Sequence, residues 1–180
     1  MNNAFNRLFK KKLLLAPRTS IVLEGQQNNR MYFIKEGSIR FWYTHEQKEI
    51  TTQLLFDGES FTSIESFFFN EPSNYSIETM EACELTYITK DEFDSFLKKK
   101  KAEIKDEIYQ SFIRQIVINS RRMSFLLKTK PEQRFYELLN NQPDILDRIP
   151  QNIVASYLGI TNVSLSRIKN RVKTEDLAVE

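Results

Sequence analysis

Ile149-Pro150-Gln151-Asn152-Ile153-Val154-Ala155-Ser156-Tyr157-Leu158-Gly159-Ile160-Thr161-Asn162-Val163-Ser164-Leu165-Ser166-Arg167-Ile168-Lys169 reads as a helix, a tight turn and a second helix. Ile153, Val154, Tyr157 and Leu158 give the first helix one apolar face at helical spacing. Gly159 follows its last turn, where a left-handed backbone is wanted. Thr161 suits the N-cap of the second helix, because its hydroxyl can accept from an N–H two or three residues on. Leu165, Ile168 and Val172 make the buried stripe of that helix, which turns Asn162, Val163, Ser166, Lys169 and Lys173 elsewhere. Two readings fit: an αα-corner within a helical core, or a DNA-binding helix-turn-helix with its second helix in the major groove. Residues 160–173 carry Arg167, Lys169, Arg171 and Lys173 and no acid, which favours the second.

Charge is informative here only through its position. The whole chain of 180 residues has a formal net charge of +2, so its overall balance does not announce a polyanion partner. Hydrophobic residues at 41% and charged residues at 28% describe a globular chain rather than a disordered one. A single cysteine, Cys83, excludes a disulfide within the chain and a four-cysteine cluster. His45 is the only histidine, so a cupin-like metal enzyme, which needs two or three, and a haem sensor are poorly supported. No nucleophile–histidine arrangement is identifiable, and the chain reads as a non-enzyme with no catalytic and no metal-ligating residues. Leu13-Leu14-Leu15-Ala16 is too short for a secretory core, and no apolar run approaches a membrane span. A cytoplasmic protein is expected.

Outward from the C-terminal motif the texture changes twice. Residues 102–128 contain neither Gly nor Pro and read as one helix. Ile104, Ile108, Phe112, Ile116, Met123 and Leu127 form its stripe, widened by Ile113, Val117 and Leu126. An apolar stripe of roughly 40 Å needs a partner, and the same helix of a second subunit is favoured over the chain's own β-domain. Asn119 and Ser120 interrupt it at one turn, where a buried polar residue could fix register. Between residues 20 and 89, short runs rich in β-branched and aromatic residues alternate with turn residues such as Glu36-Gly37 and Asp57-Gly58. They predict a sandwich or barrel of many short strands. Residues 1–16 read as an amphipathic helix through Phe5, Leu8, Phe9 and Leu13, ended by Pro17. Residues 90–100 read as a helix capped by Asp91, with Lys98 to Lys101 as its solvated end, and 132–141 as another behind Lys130-Pro131.

The order is then an α+β chain: a β-roll sensor domain over 1–100, a long dimerisation helix over 101–129, and a helix-turn-helix domain over 130–180. This order resembles the Crp/Fnr superfamily of bacterial transcriptional regulators, typified by the cyclic-AMP receptor protein. Three pieces carry the resemblance: Tyr32-Phe33-Ile34-Lys35-Glu36-Gly37-Ser38-Ile39, Asp57-Gly58-Glu59-Ser60-Phe61, and the terminal motif. In look the chain is similar to compact Bacteroidetes members, where a Glu-Pro-Ser segment before a strand such as Ser76-Ile77-Glu78 is common. The resemblance implies a cyclic-nucleotide-binding-type jelly roll and a homodimer through the long helix. It implies a two-fold-symmetric double-stranded DNA site, with RNA polymerase as a further candidate partner. The recognition helix would span about 161–172. Thr161 would cap it and hold a phosphate; Asn162, Val163 and Ser166 would face base edges; Arg167 would read DNA; Lys169, Arg171 and Lys173 would contact phosphates. Val163 stands where many members carry glutamate, so either a different operator or a packing role is expected for it. Only Thr174 to Glu180 follow, where the family usually has a β-hairpin wing.

The family's effector pocket is a phosphate cassette: a glycine–glutamate pair, then an arginine–serine pair about ten residues later. Aligned without gaps, Thr62 and Ser63 stand at the first pair, and Ser73 and Asn74 at the second. Ile116 and Val117 stand near the residues that meet the base. No arginine lies between Arg40 and Arg114, so a buried phosphate would lack its cation, a loss of about 1.5–3 kcal/mol. Cyclic AMP binding is therefore not expected, and no cofactor is assigned. Phe61, Phe67, Phe68, Phe69 and Tyr75 leave open either an apolar small-molecule effector or a filled core. The alternative function is a ligand- or protein-interaction module on the same β-roll that does not bind DNA.

Overall fold

The β-branched and aromatic runs pair into two four-stranded antiparallel sheets. The computed structural model describes residues 8–99 and 102–176. In chain order the strands are β1 Lys11–Leu15, β2 Ser20–Val22, β3 Arg30–Glu36, β4 Ile39–His45, β5 Lys48–Leu55, β6 Ser60–Phe61, β7 Ser76–Thr79 and β8 Cys83–Thr89. One sheet has the order β1-β8-β3-β6, the other β2-β7-β4-β5. Ile34 and Leu85 from the first meet Ile39, Phe41 and Ile77 from the second in a common apolar core. The crossing order, with chain neighbours placed in opposite sheets, makes this a jelly roll.

Turn chemistry holds the register. His45 pairs with Lys48 across a two-residue loop in which Glu46 and Gln47 both have positive φ, the mirror-image turn that matches strand twist. Gly37 is required twice over. Its φ is +109°, and a Cβ there would come within 2.5 Å of the Cys83 sulfur and 2.8 Å of the Ala82 carbonyl. Arg40 on β4 stands opposite Glu78 on β7, and the two side chains form a buried ion pair inside the second sheet. Glu49 and Arg18 complete that network.

Three elements differ from expectation. Residues 11–15 are a strand, not the end of a helix. Leu13 and Leu15 are half-buried while Leu14 is exposed, a period of two that suits pairing along β8. Phe5 lies outside the described residues. The Phe67-Phe68-Phe69 run forms a short helix, α1 (Ile64–Phe69), closed by Asn70 in the left-handed conformation. Helix α2 (Lys90–Lys99) is capped by Thr89 rather than Asp91. The Glu92 carboxylate accepts from the Thr89 N–H at 3.1 Å, and the Thr89 hydroxyl accepts from the Glu92 N–H at 3.4 Å, a reciprocal capping box. Lys100 and Lys101 lie outside the described residues.

Helix α3 runs Ala102–Lys128, the span read from the sequence. Helices α4 (Pro131–Asn141), α5 (Ile145–Arg148), α6 (Gln151–Tyr157) and α7 (Asn162–Asp176) follow. Phe135, Ile145, Ile149, Ile153, Leu158, Leu165 and Ile168 form their core, and Leu54, Phe56 and Met80 of the roll complete it. α6 covers the edge strand β5: the Thr51 N–H donates to the Ser156 hydroxyl at 2.9 Å, and that hydroxyl donates to the Glu49 carbonyl at 3.3 Å. Arg148 binds Glu81 at 2.7 Å and Asp57 at 3.2 Å. The four C-terminal helices are thus packed onto the roll.

Candidate nucleic-acid interface and effector pocket

The C-terminal pair of helices is built as the sequence pattern requires. Gly159 has φ +66° and turns the chain between α6 and α7. The Thr161 hydroxyl accepts from the Ser164 N–H at 3.1 Å and bonds the Ser164 hydroxyl at 3.0 Å, so it is occupied as a cap. Leu165 and Ile168 are buried and anchor α7. Thr161, Asn162, Val163, Ser166, Arg167 and Arg171 are exposed, and Lys169 is half-buried. Val163 is 62% exposed, which removes helix packing as its role. Lys169 donates to the Gln151 carbonyl oxygen at 3.3 Å, tying α7 to α6. Arg171 reaches Glu132 of α4 at 3.5 Å, an exposed and weak pair. Arg167 makes no ion pair among the described residues. The Val172 and Lys173 side chains lie outside the described residues.

Helix α3 carries two apolar faces, where the sequence reading merged them into one stripe. Ile108 is fully buried against Met31, Phe33, Phe67 and Phe93 of the roll and α2, with Phe112 beside it. The outer face presents Tyr109, Ile113, Ile116, Met123 and Leu127, all exposed, with Leu127 at 81%. Tyr109, Ile113, Ile116, Ser120, Met123 and Leu127 follow alternating steps of four and three, the spacing of a coiled-coil seam. Ser120 is the polar residue on that seam. Asn119 instead faces inward, half-buried beside Gln115, whose amide donates to it at 3.5 Å. Ile104 lies outside the described side chains.

Between the inner face of α3 and the roll lies a cavity of about 540 Å³. Phe41, Leu55, Phe61, Phe68, Tyr75, Phe93, Phe112 and Ile116 give it apolar walls. Gln53, Ser60, Thr62, Ser111, Gln115 and Asn119 add neutral polar groups. Asp94 is its one charged lining residue, and Lys90 neutralises it at 2.6 Å. Burial first, and the nearby Glu65 carboxylate second, push the Tyr75 phenol up to about 12, so it is neutral at ordinary pH.

Four of the eight expected pocket residues line this cavity: Phe61, Thr62, Tyr75 and Ile116. The other four do not. Ser63 is fully buried at the N-terminus of α1. Ser73 donates to the Tyr75 carbonyl at 2.7 Å and braces the loop. Asn74 is exposed, and Val117 faces outward on α3. The physical reason is α1: folding 64–69 into a helix rather than extended chain displaces a gapless register. Gln53, Phe68, Gln115 and Asn119 were missed. Helical spacing along α3 relative to the buried Ile108 and Phe112 would have found the last two.

A second contact joins α3 to the C-terminal helices. The Arg122 guanidinium lies 3.7 Å from the Tyr157 ring centroid. Burial lowers the Arg122 pKa, and burial raises that of Tyr157 against the pull of this cation. Among the described residues, no three His, Cys, Asp or Glu side chains are grouped to hold a metal, and no helix is long and apolar enough to cross a membrane.

Residues 12–100 match the family model of the cyclic nucleotide-binding domain. The cyclic-nucleotide-binding fold of the roll extends, with its helices, into solved structures. FixK2 from Bradyrhizobium japonicum matches with a TM-score of 0.78 at 11% identity, over 92% of this chain and 85% of that one. The c-di-GMP-responsive global regulator CLP of Xanthomonas campestris matches with a TM-score of 0.70 at 15% identity, over 96% and 90%. A CRP-family transcriptional regulator from Thermus thermophilus matches with a TM-score of 0.68 at 14% identity, over 92% and 86%. The likeness to these regulators is one of fold. No curated protein matches the sequence.

Proposed function

We propose that this chain is a sequence-specific DNA-binding transcriptional regulator that acts as a homodimer. The observation that carries this is α7: an N-capped helix anchored by Leu165 and Ile168, with Asn162, Val163, Ser166 and Arg167 presented together to solvent. Asn162 can pair with adenine, Val163 can touch a thymine methyl, and Arg167 can fork onto guanine. The α7 N-terminus, Lys169 and Arg171 meet backbone phosphates, as does Lys173. The α3 seam joins two copies in parallel, which places two α7 helices on half-sites about one helical turn apart. RNA polymerase is the further partner, in the cytoplasm. Solved structures of the same fold include proteins described as transcriptional regulators. α6 is held by the two elements that line the cavity: β5, through Thr51, and α3, through Arg122. This gives cavity occupancy a direct bearing on how α7 is presented.

Random-site selection followed by binding titrations tests the reading. The wild-type chain enriches a two-fold-symmetric sequence. Arg167→Ala costs about 1–3 kcal/mol on that site and relaxes preference at one base position in each half. Enrichment of no sequence, with Arg167→Ala unchanged, would leave the non-DNA-binding interaction module in its place. Leu127→Glu makes the chain monomeric in analytical ultracentrifugation; a dimer unaltered by it would move the interface away from α3.

A further inference from the structure

We infer that the cavity between the roll and α3 binds a neutral aromatic small molecule rather than a nucleotide or any other anion. The inference deepens the regulator reading by naming the class of its effector, and only the word effector rests on that reading. Size is the first argument. About 540 Å³ lies within the range that holds a drug-sized ligand.

Charge is the second. Among the described lining residues there is no arginine, lysine or histidine. An anion brought there would lose its hydration and meet only Asp94, itself an acid already paired with Lys90. The roll's buried cation, Arg40, is engaged by Glu78 within the sheet and is not part of the lining. Nor would a cation gain, because the Asp94 charge is spent.

Surface chemistry is the third. Phe61 stacks on Tyr32, and Phe68 meets Phe112 edge-on at 5.5 Å between centroids. These contacts hold ring faces and edges in fixed orientations, the geometry that receives a further ring. Polar recognition comes from the side-chain amides of Gln53 on β5 and of Gln115 and Asn119 on α3. Each amide carries both donor and acceptor, so together they match a neutral hydroxyl, carbonyl or amide on the ligand. A ligand in this place spans β5 and α3, the same elements that hold α6.

The test uses the full chain without DNA, so that its outcome is independent of whether α7 reads a sequence. N-phenyl-1-naphthylamine, a neutral fluorescent diarylamine, is the probe. It binds one site per chain with blue-shifted, enhanced emission. Gln115→Trp and Ser111→Trp, both half-buried on the cavity side of α3, fill the space from two positions. Each weakens probe binding at least about ten-fold while circular dichroism and the melting transition stay those of the wild type. Cyclic AMP and cyclic GMP at about 1 mM do not displace the probe. Wild-type probe affinity in both folded variants would overturn the inference by placing the probe elsewhere. Displacement by micromolar cyclic nucleotide would overturn it by showing that the cavity accepts an anion. Probe binding that is lost in both variants, in a chain that selects no DNA sequence, would uphold the cavity and sink the regulator reading alone.

Discussion

The cavity and the α7 surface are the two places where a Crp/Fnr-like chain would meet phosphate, and they are opposites. The cavity has a lining without cations and one neutralised acid. The α7 surface has Arg167, Lys169 and Arg171 on a helix without an acid until Glu175. A net charge of +2 conceals this entirely. What the difference teaches is that recognition follows where a charge is left uncommitted, not how many charges a chain has. Arg40 is a cation in the roll that contributes nothing to anion binding, because Glu78 and Glu49 consume it inside the sheet. Arg167 has no such partner among the described residues.

The strongest way to break the comparison is to uncommit Arg40. Glu78→Ala leaves a buried guanidinium, 3% exposed as a residue, facing only the half-exposed Glu49. A loss of about 3–5 kcal/mol is expected in urea unfolding, read as a lower midpoint at unchanged slope. A change below about 1 kcal/mol would mean that the pair is open to water and that the contrast between spent and free cations is misdrawn.

A smaller effect sharpens the other side. Lys169→Ala with Arg171→Ala should weaken DNA binding equally for selected and scrambled sites. Removing one bound phosphate from the interface lowers the salt slope by about 0.9. A loss confined to the selected site would instead give these residues a base-reading role.

The smallest effect concerns an exposed charge. Lys11, 2.9 Å away, and then the Thr89 N–H and hydroxyl hold the Glu92 carboxyl down at about 2, against an ordinary 4.5. A lowered carboxyl pKa stabilises the fold above the ordinary value, and that contribution is lost as pH falls from about 4.5 to 2. Glu92→Gln should flatten the melting temperature across that window. Glu59 acts in the opposite sense: burial raises its pKa despite the Phe56 N–H it accepts, so its stabilisation is present at acid pH and fades as pH rises. An unchanged acid slope in Glu92→Gln would assign the acid sensitivity to other carboxylates.

Much of this was legible before folding. The bounds of α3 follow from a run without Gly or Pro, and α7 follows from Thr161, Leu165 and Ile168 at cap and stripe positions. Reading β1 as helix failed because Leu8, Phe9 and Leu13 mimic helical spacing. The competing signal, Leu13 and Leu15 inward with Leu14 outward, is weak over five residues. α1 was hidden because three consecutive phenylalanines favour extended chain by propensity, and contacts such as Phe67 on Phe93 override it.

Local chemistry within the chain therefore determined the elements that depend on it: the turn at Gly159, the cap at Thr161, the lengths of the long helices and the shortage of cations between Arg40 and Arg114. Three-dimensional packing decided everything that depends on which side of an element meets which neighbour. It divided the α3 stripe into a roll-facing side with Ile108 and a solvent-facing seam with Leu127. It turned Asn119 toward the cavity and left Ser120 on the seam. It drew Thr62 and Tyr75 into one wall and excluded Ser63 and Asn74. Periodicity records that a residue is apolar and which neighbours share its face. It does not record which of two apolar partners claims that face, because burial against the roll and burial against a second subunit reward the same side chains.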